Sequence, residues 1–393
     1  MSDGRNAGRW LAIMMCMVPY GAVVSAQEKG GEKVPERVEW RYAPTKAQFA
    51  EVITHAGTVY ALDRRGLIHA IDAKTGMPRW ITKDKEGFSW GYGMALSAVP
   101  GLDVLFVASD TGLMALSYKD GKKLWHEPFE LGVAGPACTK DAVIAASSDG
   151  KVYGCDPKTG AVLWEHDYME DRPDDPKGFR GADARFGERN ARPRDAATDG
   201  KMVVLSIFDQ CRVIALDVTN GKRLWDFKTK GWMYGTPAIG PRNVFVGSQD
   251  RHVYGIDKEM GKLSWQIKTG SRVEASPQPS ERFVYVGSCD AKLYAIDQTV
   301  GRVLWEFETE KKGRRGGPIY SRAVVLGDTV CFATMNGKVY GLDRKTGKLQ
   351  WEVEPLADSD LNSDLVHADG RLFVTTRKDG DKGQSAVLAI RAK

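Results

Sequence analysis

The side chains able to do chemistry are spread along this chain, and few stand at spacings that would let them react together. His55, His69, His126, His166, His252 and His367 include no His-x-x-x-His pair, so a helix-borne zinc site has no support. The sequence holds no Cys-x-x-Cys-His haem attachment and no glycine loop opening a helix to cradle phosphate. Seven polar side chains do recur at fixed spacing: Asp72, Ser117, Asp156, Asp217, Asp257, Asp297 and Asp343 each stand four residues before a Gly and eight before a Trp. Turn stabilisation explains them, because an Asp accepts backbone N–H groups ahead of it while the Gly takes a left-handed conformation. No catalytic, cofactor-binding or metal-binding residue is expected. What remains is recognition. Trp90 and Tyr92 share a Trp-x-Tyr-Gly pattern with Trp232 and Tyr234, and Arg192, Arg194, Arg272, Glu274, Arg314 and Arg315 fall at comparable points of neighbouring repeats. Such rings and guanidinium groups suit a basic, aromatic-rimmed funnel for an extended peptide or an anionic small molecule.

Those candidates depend on a repeat. The segment Asp-x-x-x-Gly-x-x-x-Trp recurs with its last residue at Trp80, Trp125, Trp164, Trp225, Trp265, Trp305 and Trp351, the copy at Trp125 beginning with Ser117. Successive tryptophans lie 45, 39, 61, 40, 40 and 46 residues apart. Each copy follows two β-rich runs joined by a tight turn, as in Val244–Gly247 and His252–Ile256, with Asp149-Gly150 and Asn336-Gly337 as hairpin signals. Four strands per repeat of ~40–45 residues predict the blade of a β-propeller. A blade cannot cover its own face, so a Trp from each should seal the joint with the next. Gly135-Pro136, Thr236-Pro237, Ser276-Pro277 and Gly317-Pro318 suit innermost strands, where blades crowd the axis. Seven blades fill residues 47–354. Val38–Arg41, with Trp40, reads as the outermost strand of an eighth blade, and 361–392 as its first three strands. An all-β, eight-bladed ring closed by strands from both termini is the expected architecture.

Residues 1–26 read as an export signal: Arg5 and Arg9 precede the apolar run Trp10–Val24, and Val24-Ser25-Ala26 offers a cleavage point after Ala26. The mature chain, 27–393, is expected to be a single propeller domain without a membrane span, periplasmic or secreted to the cell surface, and monomeric, the alternative being that the apolar run is kept as an anchor. Cys138, Cys155, Cys211, Cys289 and Cys331 are an odd number of scattered thiols, which is no disulfide framework. A net charge of +5 spread along 393 residues gives no indication of nucleic-acid binding. Residues 167–194 make the long interval between Trp164 and Trp225. They are dense in both charges, nearly free of aliphatics, and predict a loop projecting on the same face as the candidate funnel.

The string YAIDQTVGRVLWEFET and its siblings resemble the tryptophan-docking repeats of the pyrroloquinoline-quinone (PQQ-like) propeller family over nearly the whole mature chain. One branch of that family, the quinoprotein alcohol dehydrogenases, holds the quinone and a calcium ion on the propeller axis. The other, the propeller subunit of the outer-membrane barrel-assembly machinery, has eight blades, no cofactor and a protein-binding role. The vicinal Cys-Cys and the long insertions typical of the dehydrogenases are missing, so the resemblance implies a non-catalytic scaffold binding protein partners in the cell envelope. A PQQ- and calcium-dependent dehydrogenase is the alternative, and a polysaccharide-binding propeller a third. The lipid-attachment cysteine expected of the barrel-assembly subunit is also missing.

Overall fold

The computed structural model describes residues 35–45, 47–82, 95–99, 101–129, 132–169, 195–310, 317–356, 359–361, 363–378 and 385–392, with the backbone alone at 23–25, 209 and 377–378. Seven antiparallel sheets of four strands follow one another along the chain as blades 1 to 7, over residues 49–81, 95–128, 133–167, 197–228, 238–268, 278–308 and 324–353. Within each, the strands A to D run in chain order. The eighth blade is shared by the termini. Val38–Tyr42 pairs with Ala386–Arg391, which pairs with Arg371–Lys378, and this carries Ser359–Leu361 and Val366–Ala368 on its far side. The backbone of Val23–Ser25, ahead of the expected cleavage point, pairs with the outer edge of Val38–Tyr42.

The apolar core lies between sheets. Eight buried clusters each combine two adjacent blades, and together they go once round the ring. Strand alternation divides the side chains between two joints. In Phe283–Gly287, Val284 and Val286 pack toward blade 5, whereas Phe283 and Tyr285 pack toward blade 7. Both faces are buried, which is why such strands read as unbroken apolar runs.

The repeat motif builds the joints. In every C–D pairing a β-bulge falls just before the Trp, from Arg79 through Leu124, Leu163, Leu224, Ser264 and Leu304 to Gln350. Glu39 is the bulged residue before Trp40, marking the N-terminal strand as the eighth copy. Seven indole N–H groups, from Trp40 to Trp305, donate to a carbonyl in the turn of the following blade at 2.7–3.2 Å. Each ring also covers the Gly of that turn. A Cβ at Gly261 would stand 2.5 Å from the Trp225 side chain, and φ of +67° there excludes other residues a second time.

Candidate functional site

The D-to-A connections and the B–C turns occupy one face of the ring, and the four described candidates, Trp232, Tyr234, Arg272 and Glu274, stand there. Connection 4→5 and connection 5→6 are built alike. Thr229 Oγ1 donates to the carbonyls of Cys211 and Gly231, and Thr269 Oγ1 to those of Arg251 and Ser271, tying each connection to the B–C turn of its own blade. The B–C turn of the next blade then grips it: Gln249 N–H donates to Trp232 O at 2.8 Å and Cys289 N–H to Arg272 O at 3.0 Å. Met233 and Val273, the residues between the candidates, are fully buried anchors. Alternation therefore turns Trp232, Tyr234, Arg272 and Glu274 outward. In the next connection Met335 N–H grips Pro318 O and Ile319 is the anchor, so Tyr320 holds the position of Tyr234 and Glu274.

Two different surfaces result. Trp232 and Tyr234 are 41% and 37% exposed, and both rest on Phe208, with ring centroids 5.0 and 4.6 Å away. Phe208 is buried in the short 3₁₀ turn Phe208–Gln210 of blade 4, so two exposed rings stand on a fixed floor. Beside them, Arg272 Nε pairs with Glu274 Oε1 at 2.9 Å and Gln249 Nε2 donates to the same oxygen at 2.8 Å. Arg272 also lies close to the Cys289 thiol and the Tyr320 hydroxyl. Burial pushes that thiol up despite Arg272, and it pushes Tyr320 up as well, so both stay protonated. The four described members of the expected basic funnel form an aromatic shelf beside an internally neutralised charge network. Trp90, Tyr92, Arg192, Arg194, Arg314, Arg315 and most of the 167–194 insertion lie outside the described residues.

The turn carboxylates are structural in this geometry. Asp156 and Asp343 accept two N–H groups of their own turns at 2.8–3.1 Å, and their hydrogen bonds hold both below the usual carboxylate range. At the axis, side chains cap inner strands of other blades: Glu51 accepts Leu96 N–H, Asp195 accepts Gly135 N–H, Ser276 accepts Thr236 N–H, and Asp364 accepts Arg322 N–H, at 2.6–3.1 Å. Burial, with Asp195 adding to it, pushes Glu51 well above the ordinary carboxylate value. Among the described residues no three His, Cys, Asp or Glu side chains are grouped to hold a metal ion. Cys138, Cys155 and Cys331 are free thiols that burial pushes up to about 12, which removes them as nucleophiles at neutral pH.

A family model described as outer membrane protein assembly factor BamB matches residues 21–225 and 209–392. The chain belongs to the BamB family of PQQ-like propellers. BamB of Shewanella oneidensis is 28% identical to this BamB-family chain over 125 residues, 28% of this chain and 30% of that protein. The serine/threonine-protein kinase AfsK of Streptomyces griseus is 30% identical over 158 residues, 37% of this chain and 18% of the kinase. The aligned region therefore spans less than a third of either relative's length. Among solved structures, BamB from Moraxella catarrhalis superposes with a TM-score of 0.62 at 19% identity, over 88% of this chain and 97% of that one. The quinohemoprotein alcohol dehydrogenase ADHIIG from Pseudomonas putida HK5 does so at 0.63 and 14%, over 90% of this chain and 75% of the enzyme. These likenesses establish the fold, which a scaffold and an enzyme share.

Proposed function

We propose that this BamB-family propeller is a non-catalytic, cofactor-free scaffold of the cell envelope that binds extended segments of protein partners, outer-membrane assembly components among them, across the face formed by the D-to-A connections. The observation that carries this reading is the pair of exposed rings, Trp232 and Tyr234, standing on buried Phe208. Rigid aromatic rings offer a large contact area at little conformational cost, which is the composition of protein-binding hot spots. The polar rim suits a peptide backbone, because Gln249 and Glu274 stand within one network beside the shelf. Near the axis, Glu51, Asp195 and Asp364 each accept a backbone N–H group, a structural role that supports a scaffold.

A photo-crosslinking residue placed at 234 in the full chain, expressed in an envelope-bearing host, tests the reading. Envelope proteins should be captured from position 234, and Trp232→Ser should lower that capture about tenfold, the loss of one ~1.4 kcal/mol contact. Dye reduction on adding the quinone and calcium would overturn the non-catalytic reading. Capture of polysaccharide, with no protein, would transfer the shelf to a sugar ligand.

A further inference from the structure

We propose that the opposite face of the ring, which carries the C–D turns, docks on an anionic phospholipid bilayer. Twelve large hydrophobic side chains are exposed among the described residues. Trp232 and Tyr234 are two of them; the other ten stand in the C–D turns or at the first residues of the outer strands, from Met77 in blade 1 to Leu349 in blade 7. Every one of the seven repeat blades contributes, with exposures as high as 55% at Leu163, 59% at Met260 and 64% at Val300. All ten are aliphatic or methionine.

Charge on the same segments is one-sided. Across the seven stretches from the turn Asp (or Ser117) to the Trp, exposed Lys and Arg number eleven and exposed Asp and Glu two, Asp120 and Glu259. The conserved geometry of the turn produces this bias: its first carboxylate points back to accept backbone N–H groups, at Asp72 from Lys74 and Thr75 and at Asp257 from Glu259 and Met260, leaving lysines such as Lys222 and Lys262 outward. Basic side chains interleaved with isolated aliphatics on one rim match a bilayer surface, where headgroups attract the cations and the aliphatic tips enter the acyl boundary. Protein hot spots are aromatic and clustered, unlike this ring of one or two aliphatics per blade. The A–B turns of this face add exposed Asp103, Asp141, Asp328 and Asp369, which leaves the face basic on balance and disfavours a second copy. Protection of exposed strand edges against aggregation accounts for the lysines and leaves the leucines unexplained. Docking here would leave the Trp232–Tyr234 shelf open to the aqueous side.

The test is co-sedimentation of the full chain with phosphatidylcholine vesicles, with and without roughly one-third phosphatidylglycerol, read alongside a lysine-acetylation footprint. Binding to the anionic vesicles should be about tenfold tighter and should weaken as salt rises through the range that shortens the screening length. Lys122, Lys222 and Lys348 should be protected from acetylation, whereas Lys230 on the shelf face should not. The combined variant Lys122→Gln, Lys123→Gln, Lys222→Gln, Lys348→Gln should lose about tenfold, and Leu163→Ser with Leu224→Ser several-fold, each with an unchanged unfolding midpoint, since these side chains are exposed or half-buried. The proposal is overturned by equal binding to neutral vesicles, by undiminished binding of the Lys→Gln variant, or by protection at Lys230 in place of Lys122. Association through the apolar segment at residues 10–24 would give the first two of these.

Discussion

At the joint between blades 4 and 5, Trp225 lies on Gly261 and its indole N–H donates to Lys258 O at 2.7 Å. At the joint between blades 7 and 8, Trp351 meets the guanidinium of Arg37, 4.7 Å from its ring centroid. Seven joints follow the first plan, and the eighth departs from it for a topological reason. The partner of each docked Trp is the C–D turn of the following blade. In blade 8 strands C and D are Ala386–Arg391 and Val38–Tyr42, opposite ends of the chain that pair without a turn between them. A cation over the ring, with the Glu39 carboxylate pairing Arg371 at 2.5 Å and Arg391 at 3.2 Å, takes the turn's place. The seam teaches that a glycine turn is one way of covering an indole, and that a closed ring needs every Trp covered by some means.

The comparison can be broken most forcefully at closure itself. Truncation after Ser385 removes the strand that pairs with Val38–Tyr42 and exposes the apolar clusters on both sides of blade 8; loss of a single cooperative urea transition is the expected outcome. Next in size, Trp164→Ala should cost ~3–5 kcal/mol, since it empties a buried site and leaves Val218 O unpaired. Trp351→Ala, at the half-buried seam, should cost about half as much or less. Equal shifts in urea midpoint would erase the distinction between the two kinds of joint.

Blade 1 offers an internal control for the glycine turn. Gly57 and Gly76 have φ of +68° and +73°, yet a Cβ would meet nothing at Gly57 and would stand 2.7 Å from the Trp40 ring at Gly76. Gly57→Ala should therefore cost only the backbone strain of ~1–2 kcal/mol, and Gly76→Ala that strain plus ~1–3 kcal/mol of overpacking. Arg37→Ala should cost ~0.5–1 kcal/mol and raise amide exchange in residues 386–392 before it affects blades 3 to 6.

Acid should weaken the joint where blade 8 meets blade 1. Burial alone would raise Asp63, but hydrogen bonds from Arg65, with the His69 ring nitrogen 3.5 Å away, outweigh it and hold the carboxyl below its ordinary 3.8. His69 Nδ1 is in turn 2.9 Å from the Tyr42 hydroxyl, which belongs to the N-terminal strand. Because the folded-state pKa is the lower one, this contribution is present above the unfolded value near pH 4 and is lost as pH falls through the folded value. Asp63→Asn should flatten the pH dependence of stability below about pH 4 while leaving the slope near neutrality unchanged.

Much of this was readable in advance, because the repeat carries its own alignment. Setting KTKGWMYGTP beside KTGSRVEASP places Trp232 on Arg272 and Tyr234 on Glu274, the equivalence that the connections display. Phe208 was not readable. It belongs to another blade, and its turn departs from the Asp-Gly type found in blade 3. Tyr320 was missed for the same reason, and Gln249 because its bond to Glu274 joins a B–C turn to the connection leaving the same blade, 25 residues on, outside the repeat motif. The basic, aromatic-rimmed funnel was expected from the Trp-x-Tyr-Gly entries and the charged residues at comparable places in other repeats; among its described members, Arg272 and Glu274 form an ion pair.

By itself the sequence determined the blade, since an unvarying eight-residue spacing fixes turn, bulge and docked indole through local hydrogen bonds and one close packing contact. It also determined the number of blades, through the lone Trp40 and the unfinished strands at the other end. Only the tertiary structure decided which side chains share a surface, because neighbours across a joint are about forty residues apart and their meeting depends on how the whole ring closes. It decided too that the shelf at Trp232 and the basic rim at the C–D turns face opposite ways, a separation set by strand direction within each blade.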